Sequence, residues 1–291
     1  FGKALNRDAR SEEVLAKEAL DIAAKADVIV AAMGEAAEFS GEASSRTDLD
    51  IPETQQKLLK QLLATGKPVV LVLFTGRPLT LTWEDKNVPA ILNVWFGGSE
   101  AGAAVADVLF GDVNPAGKLT MSFPQNVGQI PLYYAHKNTG RPLAEGKWFQ
   151  KFRSNYIDVS NDPLYPFGYG LSYTSFTYDN LKLSSTSLKG NQTLKASIEV
   201  TNAGKYDGQE VVQLYIRDMV GSVTRPVKEL KGFQKIMLKA GETKTITFNI
   251  TPEDLKFYNS NLKYDWEPGA FEIMIGSNSR DVKAGKIEWV K

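Results

Sequence analysis

The sequence contains no cysteine. Disulfides, thiol nucleophiles and zinc–thiolate sites are therefore excluded. It holds one histidine, His136, so an imidazole-rich metal site is excluded too and no metal is expected. A Ser-His-Asp triad would have to be built on that single residue. Thirty-four basic residues cancel thirty-four acidic ones. That removes the electrostatic footprint of a nucleic-acid binder and argues against a surface held to anionic lipid. No apolar run reaches the ~18 residues a membrane span needs. The N-terminus shows neither an initiator Met nor a secretory signal. Phe1 therefore reads as a cut end: a processing site, a cloning boundary or a fragment edge.

What is present is globular. Hydrophobic residues make up 43% and charged residues 23% of 291, enough for a core and for about two domains at ~100–200 residues each. The first half alternates helices and strands. Residues 11–26 read as a helix capped by Ser11, with Glu12 and Glu13 in its first turn and Leu15, Ala19, Ile22 and Ala26 on one face. DVIVAAMG reads as a buried strand. A polar loop, Glu35 to Asp50, leads to a second helix that starts near Pro52 and ends at Gly66 and Pro68. Leu58, Leu59, Leu62 and Leu63 mark its buried face. PVVLVLF and PAILNVWF read as two more strands, and Ser99 opens a helix that stops at Gly111. Continuously apolar strands alternating with helices predict a mainly parallel sheet covered on both faces.

From Gly111 to about Tyr173 proline, glycine and aromatics dominate without a helical period. This segment reads as an extended connector laid across a surface. The second half is all β. LKASIEVTNAG, GQEVVQLYIRD, KTITFNI and AFEIMIGS alternate with period two, and turn signals separate them. Seven or so strands over this length predict an immunoglobulin-like sandwich.

Five strings occur in a telling order: GEASSRTDLDIPETQ, VLVLFTGRPL, VWFGGSEAGAAVADVLFGDVNPAGKLTMSFP, PLYPFGYGLSYTSF and GFQKIMLKAGET. Together they resemble the C-terminal half of family 3 glycoside hydrolases, of the periplasmic β-glucosidase type. The resemblance covers essentially the whole chain. It implies a flavodoxin-like α/β sandwich domain over 1–173, with the connector from about 111, followed by a fibronectin-III/immunoglobulin-like β-sandwich over 174–291. It also implies an N-terminal (β/α)8 barrel carrying the nucleophilic Asp. Nothing in this chain reads as that barrel.

Retaining glycoside hydrolysis uses two carboxyl groups ~5–5.5 Å apart. One attacks the anomeric carbon, and the other protonates the leaving oxygen and then activates water. The resemblance places the acid/base glutamate in an SGE-type string before a downstream arginine. Here that string is Ser40-Gly41-Glu42, followed by Arg46, so Glu42 is the expected acid/base. Its bland alternative is a solvated loop carboxylate. Glu35 is the rival, and it reads better as a carboxylate paired with Arg46 or capping the loop. Glu38 reads as exposed. Asp48 and Asp50 are expected to cap the following helix. Arg46 is expected either to orient a carboxylate at the substrate or to pin the loop.

Asp265-Trp266 mimics the family's nucleophile string, but it lies in the sandwich half, where a turn-flanking Asp and a packed Trp explain it. His136 has no triad partners nearby and reads as structural. Trp148, Phe149 and Arg153 combine rings with a guanidinium, a mixture that can line a sugar subsite. Packing between domains is the alternative. Gly97-Gly98-Ser99 matches no nucleotide fingerprint and reads as close helix–strand packing. Asn191 and Asn249 head formal glycosylation triplets, which arise often by chance.

The resemblance thus implies part of a retaining exo-β-glycosidase acting on a terminal β-linked glucose, with xylose as the other sugar. It calls for no cofactor. The implied partners are an oligosaccharide or aryl β-glycoside, the barrel half of the same enzyme and a second copy in a homodimer. The implied location is the bacterial periplasm or outside the cell. Two other functions compete. A non-catalytic carbohydrate-binding or scaffold fragment would show a line of exposed aromatics on the sandwich. A flavodoxin-like small-molecule binder would need a ligand-binding fingerprint that is absent.

Overall fold

The computed structural model describes residues 9–143 and 147–291. Phe1, with its expected cut end, lies outside them. The described chain forms two compact units. One comprises residues up to Phe110 together with Phe123–Ile130, and the other Gly111–Ser122 together with Pro131–Lys291.

The first unit is built on a parallel sheet of three strands in the order β1-β2-β3. Helix α1 spans Glu12–Ala23, and the Ser11 side chain accepts the Val14 N–H at its start. The chain then enters β1, Ile29–Gly34. Gly34 ends β1 with φ of +131°, and a Cβ there would lie 1.8 Å from the Phe74 carbonyl oxygen. Only glycine fits that approach. Helix α2, Glu53–Ala64, buries Leu59 and Leu62, while Leu58 and Leu63 are half-buried. Gly66, at φ +74°, takes the left-handed turn that ends it. Central strand β2, Val69–Phe74, holds Leu71 and Leu73 at zero exposure. A short helix α3, Thr82–Asn87, precedes β3, Ala90–Asn93. β3 stops earlier than its apolar run suggests, because Trp95 takes a left-handed backbone, φ 55°, and packs its ring on Phe123.

Helix α4, Ala101–Phe110, is the last of this unit. It is almost wholly apolar, yet none of its residues is buried. In β1 burial alternates instead of being continuous, and Val30 is 52% exposed. Coverage of both sheet faces is therefore incomplete among the described residues. Parallel strands ordinarily bury both faces, so the apolar surface here exceeds what these residues cover.

The second unit is a two-sheet sandwich. One sheet has five strands in the order β5-β13-β12-β7-β8, the other three in the order β4-β6-β9. Seven strands have eight or more residues: β4 Phe176–Leu183, β6 Leu194–Asn202, β7 Gly208–Asp218, β8 Glu229–Leu238, β9 Thr243–Ile250, β12 Gly269–Gly276 and β13 Val282–Val290. Three short pieces complete the set: β5 Ser187–Lys189, and a ribbon of β10 Phe257–Tyr258 with β11 Tyr264–Asp265. Alternate residues of facing strands, among them Ile198, Val200, Leu214, Ile216, Ile273 and Trp289, close the core.

The outer face of the five-stranded sheet is covered by the connector. Tyr134 stacks on Phe167 at 4.3 Å and meets Tyr215 edge-on at 5.7 Å. Asn114 is a hub: its Oδ1 accepts from Ser172 Oγ and Tyr173 N, and its Nδ2 donates to the Asp207 carbonyl. Lys118 Nζ donates to the Gly170 carbonyl and to buried Glu210, whose other oxygen accepts the Tyr178 hydroxyl. The strings GDVNPAGKL and PFGYGLSYT thus meet each other and the sandwich.

Candidate active site at the carboxyl ends of the parallel strands

Loops that follow the strands of an open α/β sheet gather at its carboxyl edge, where sites usually form. Here three loops do so, after β1, β2 and β3. The residue immediately after β1 is Glu35, and its side chain is 1% exposed. Oε1 accepts from Arg46 Nη1 at 2.7 Å, and Oε2 from Thr75 Oγ1 at 2.9 Å, Gly76 N at 3.3 Å and Arg77 Nε at 3.2 Å. Burial disfavours the carboxylate, but the Arg46 and Thr75 hydrogen bonds, the Arg77 charge and the Gly76 amide outweigh it. The Glu35 carboxyl is held below its ordinary value.

The two arginines then secure the rest of the loop. Arg77 donates to the carbonyls of Ser44 and Phe39. Arg46 donates to the Asp50 carbonyl and lies 5.2 Å from the centre of the Phe39 ring. Arg46 is therefore a loop-pinning residue in this structure. Arg77 and Thr75, in the TGRP turn after β2, are the partners that sequence reasoning did not assign. Their signal was the position of that turn at the same sheet edge as Glu35.

Glu42 is exposed. It sits between Gly41 at φ +147° and Ala43 at φ 58°, so the backbone bends sharply on both sides of it. No hydrogen bond or ion pair engages its carboxylate among the described residues. Glu38 is exposed as well. Gly76 carries the other half of the rim. A Cβ there would lie 2.3 Å from Ser40 Oγ and 2.6 Å from Phe96 Cζ, so both side chains close on its bare face. Phe96 itself is 70% exposed.

The two aspartates before α2 do not cap it. The helix begins at Pro52 with no side-chain cap. Asp48 Oδ1 accepts the Asp50 N–H instead, and Asp50 Oδ1 takes the Thr80 hydroxyl. Leu49 and Ile51 are buried, and these bonds engage both carboxylates away from the first-turn amides.

Trp148 and Arg153 belong to the second unit, whereas Glu42 and Arg46 belong to the first. Trp148 is 55% exposed, and Arg153 is exposed. Phe152 beside it turns through φ 68°. His136 is exposed, and its carbonyl accepts the Val227 N–H. Asp265 pairs with Lys291 at 2.6 Å, and Trp266 packs against Trp289, the arrangement expected of a structural Asp-Trp. Gly97 meets Ala101 at the start of α4, a close-packing role. Among the described residues no cluster of three metal-ligating side chains exists, and no helix is long and apolar enough to cross a membrane.

Residues 3–173 match the glycosyl hydrolase family 3 C-terminal domain, and residues 210–279 match a fibronectin type III-like domain. The chain is 53% identical over 288 residues to a periplasmic beta-glucosidase of Salmonella typhimurium, covering 99% of this chain and 38% of that protein. It is 45% identical to a beta-xylosidase of Formosa agariphila, covering 96% and 38%. A crystal structure of beta-glucosidase from Listeria innocua in complex with isofagomine superposes with a TM-score of 0.89 at 42% identity, covering 94% of this chain and 39% of that one. The chain thus spans well under half the length of the relatives it matches. The match over 3–173, the sandwich that follows and the identity along the whole chain show that it belongs to glycoside hydrolase family 3, as its C-terminal domain joined to a fibronectin type III-like domain.

Proposed function

We propose that the chain is the acid/base-bearing portion of a retaining exo-β-glycosidase of the bacterial periplasm or exterior. Its substrate is a terminal β-linked glucose on a short oligosaccharide or aryl glycoside. Glu42 protonates the departing oxygen and then activates water, and the nucleophilic Asp comes from an N-terminal (β/α)8 barrel outside this chain. The location and the sugar rest on the periplasmic beta-glucosidase relative; the beta-xylosidase relative favours xylose as a second sugar.

The observation that carries the acid/base reading is the contrast between the two loop glutamates. Glu35 is buried and held ionised by two arginines, so it has no proton to give. Glu42, seven residues on, is exposed and unengaged, within a loop those arginines hold in place. Arg46 would then touch substrate only by breaking its bond to Glu35, so its main contribution is to hold the loop. Trp148 and Arg153 contribute a rim that stacks and hydrogen-bonds the sugar chain. The apolar face of α4 and the exposed Val30 of β1 supply surface for the barrel to cover.

The test is Glu42→Gln in the enzyme that includes the barrel. Activity should fall roughly 10²–10⁴-fold. The loss should shrink for aryl glycosides whose leaving groups need no proton. Equal losses for good and poor leaving groups would remove Glu42 from the acid role.

A further inference from the structure

Phe96 follows β3, at the same sheet edge as Glu35, Gly76 and the Glu42 loop. Its ring is 70% exposed. A single exposed apolar side chain is ordinary on a protein surface, but this one is held out by its neighbours on both sides. Trp95 before it takes a left-handed backbone, φ 55°, which a bulky residue keeps only where its surroundings fix it. The Trp95 ring packs on Phe123, with centres 5.6 Å apart. Gly97 after it is closed in by Ala101 and Val94, whose side chains stand 2.5 and 3.3 Å from where a Cβ would lie. Phe96 is thus presented to solvent from a segment pinned before and after it.

The edge of the ring rests at the turn after β2. Phe96 Cζ and Ser40 Oγ both lie within 2.6 Å of one point, where a Gly76 Cβ would stand. Ser40 is two residues from Glu42, a span of at most ~7 Å along the chain. Ring and carboxylate therefore belong to one rim, within the first unit.

A general acid gives its proton to the oxygen that leaves. Groups beside the acid consequently lie nearest the departing part of the substrate. Phe96 offers that part no hydrogen bond and no charge. It offers a flat carbon face, which suits an aryl ring or the C–H face of a second sugar. A departing group without such a face gains nothing from it.

We propose that Phe96 lines the leaving-group side of the site and selects substrates whose departing group carries an apolar face. The proposal rests on Glu42 as the proton donor and adds what sits beyond the bond that breaks. The contact is made by the first unit and does not involve Trp148 or Arg153.

The test compares three substrates on the enzyme that includes the barrel: methyl β-D-glucoside, benzyl β-D-glucoside and β-D-glucosyl fluoride. The two alcohols both need a proton to leave and differ in the ring. Fluoride leaves without one and has no carbon beyond the bond. Phe96→Ala should lower kcat/KM about tenfold for the benzyl glucoside, the scale of a lost ring contact, and by less than about twofold for the other two. Phe96→Trp keeps a ring and should keep the benzyl rate. With the parent ring mostly exposed, neither substitution opens the core. Glu42→Gln should lower the methyl and benzyl rates together and spare the fluoride. Equal losses for all three substrates in Phe96→Ala would make the ring a packing residue and overturn the proposal, as would an unchanged benzyl rate. Equal losses for all three in Glu42→Gln would instead remove Glu42 from the acid role, and the benzyl-to-methyl contrast in Phe96→Ala would still decide whether the ring meets the leaving group.

Discussion

Arg46 Nη1 lies 2.7 Å from Glu35 Oε1, with side chains 16% and 1% exposed. That bond ties the middle of the loop after β1 to the strand end from which the loop departs. Arg77, from the turn after β2, binds the same carboxylate. The loop that bears Glu42 is thus fixed by ion pairs together with a single 3-10 turn at Ala37–Phe39.

Glu35→Ala should therefore destabilise the first unit by about 3–5 kcal/mol, because it leaves two largely buried guanidinium groups without their counter-charge. Glu35→Gln keeps the shape and part of the hydrogen bonding, and should cost about 1–3 kcal/mol. Urea unfolding of both variants beside the parent checks the order. A Glu35→Ala variant as stable as the parent would show that the pair does not hold the loop.

The same pair carries a pH signature. The folded Glu35 carboxyl titrates below its ordinary 4.5. Its contribution is thus fully present above that value and is lost as pH falls through the lower, folded one. The parent should lose stability on acidification below about pH 4.5 more steeply than Glu35→Gln. Parallel pH profiles for the two proteins would contradict the ionised, arginine-bound Glu35.

Much of this was legible in the sequence. The helix from Ser11, the three apolar strands and the αL stop at Gly66 follow from capping, β-branching and glycine at the right places. Four long strands of the sandwich, β6, β7, β9 and β12, announce themselves by period two. Pieces of two or three residues, β5, β10 and β11, are too short to show any period, and α3 spans less than two turns. The connector carried no period because its order comes from side-chain hubs at Asn114, Lys118 and Tyr134, which bring together residues far apart in the chain. At the candidate site the SGE string and Arg46 were visible. Arg77 and Thr75 were not, since only the parallel pairing of β1 with β2 places the two strand ends side by side. The resemblance strings with the greatest specificity, GDVNPAGKL and PFGYGLSYT, prove to be hydrogen-bonded to each other and to the sandwich. Their signal reflects packing and hydrogen bonding.

That reading of the strings has its own test at Asn114. Its side chain makes three hydrogen bonds, to Ser172, Tyr173 and Asp207. Asn114→Ala removes them and leaves the Tyr173 amide and the Asp207 carbonyl without these partners, for a cost of about 1–3 kcal/mol. Amide hydrogen exchange should accelerate first at Tyr173 and its neighbours, ahead of the core strands β6 and β7. Exchange unchanged at Tyr173 would mean that the strings are not held through Asn114.

Glu84 presents the opposite case to Glu35. It is fully buried in α3. Oε1 accepts from Gln56 Nε2 at 3.2 Å, and Oε2 has no partner among the described residues. Burial pushes its carboxyl above 4.5, with nearby Asp50 adding in the same direction against the Gln56 hydrogen bond. A group raised in the folded state contributes its stability fully below the ordinary value, and that contribution is lost as pH rises through the folded value. Glu84→Gln is neutral at every pH and has nearly the same volume. It should match the parent near pH 4 and become the more stable protein as pH rises, by on the order of 1 kcal/mol or more. Thermal unfolding at a low and a neutral pH reads the difference. A variant that gains nothing, or loses stability, at neutral pH would show that the buried Glu84 is charged and supported in the folded protein.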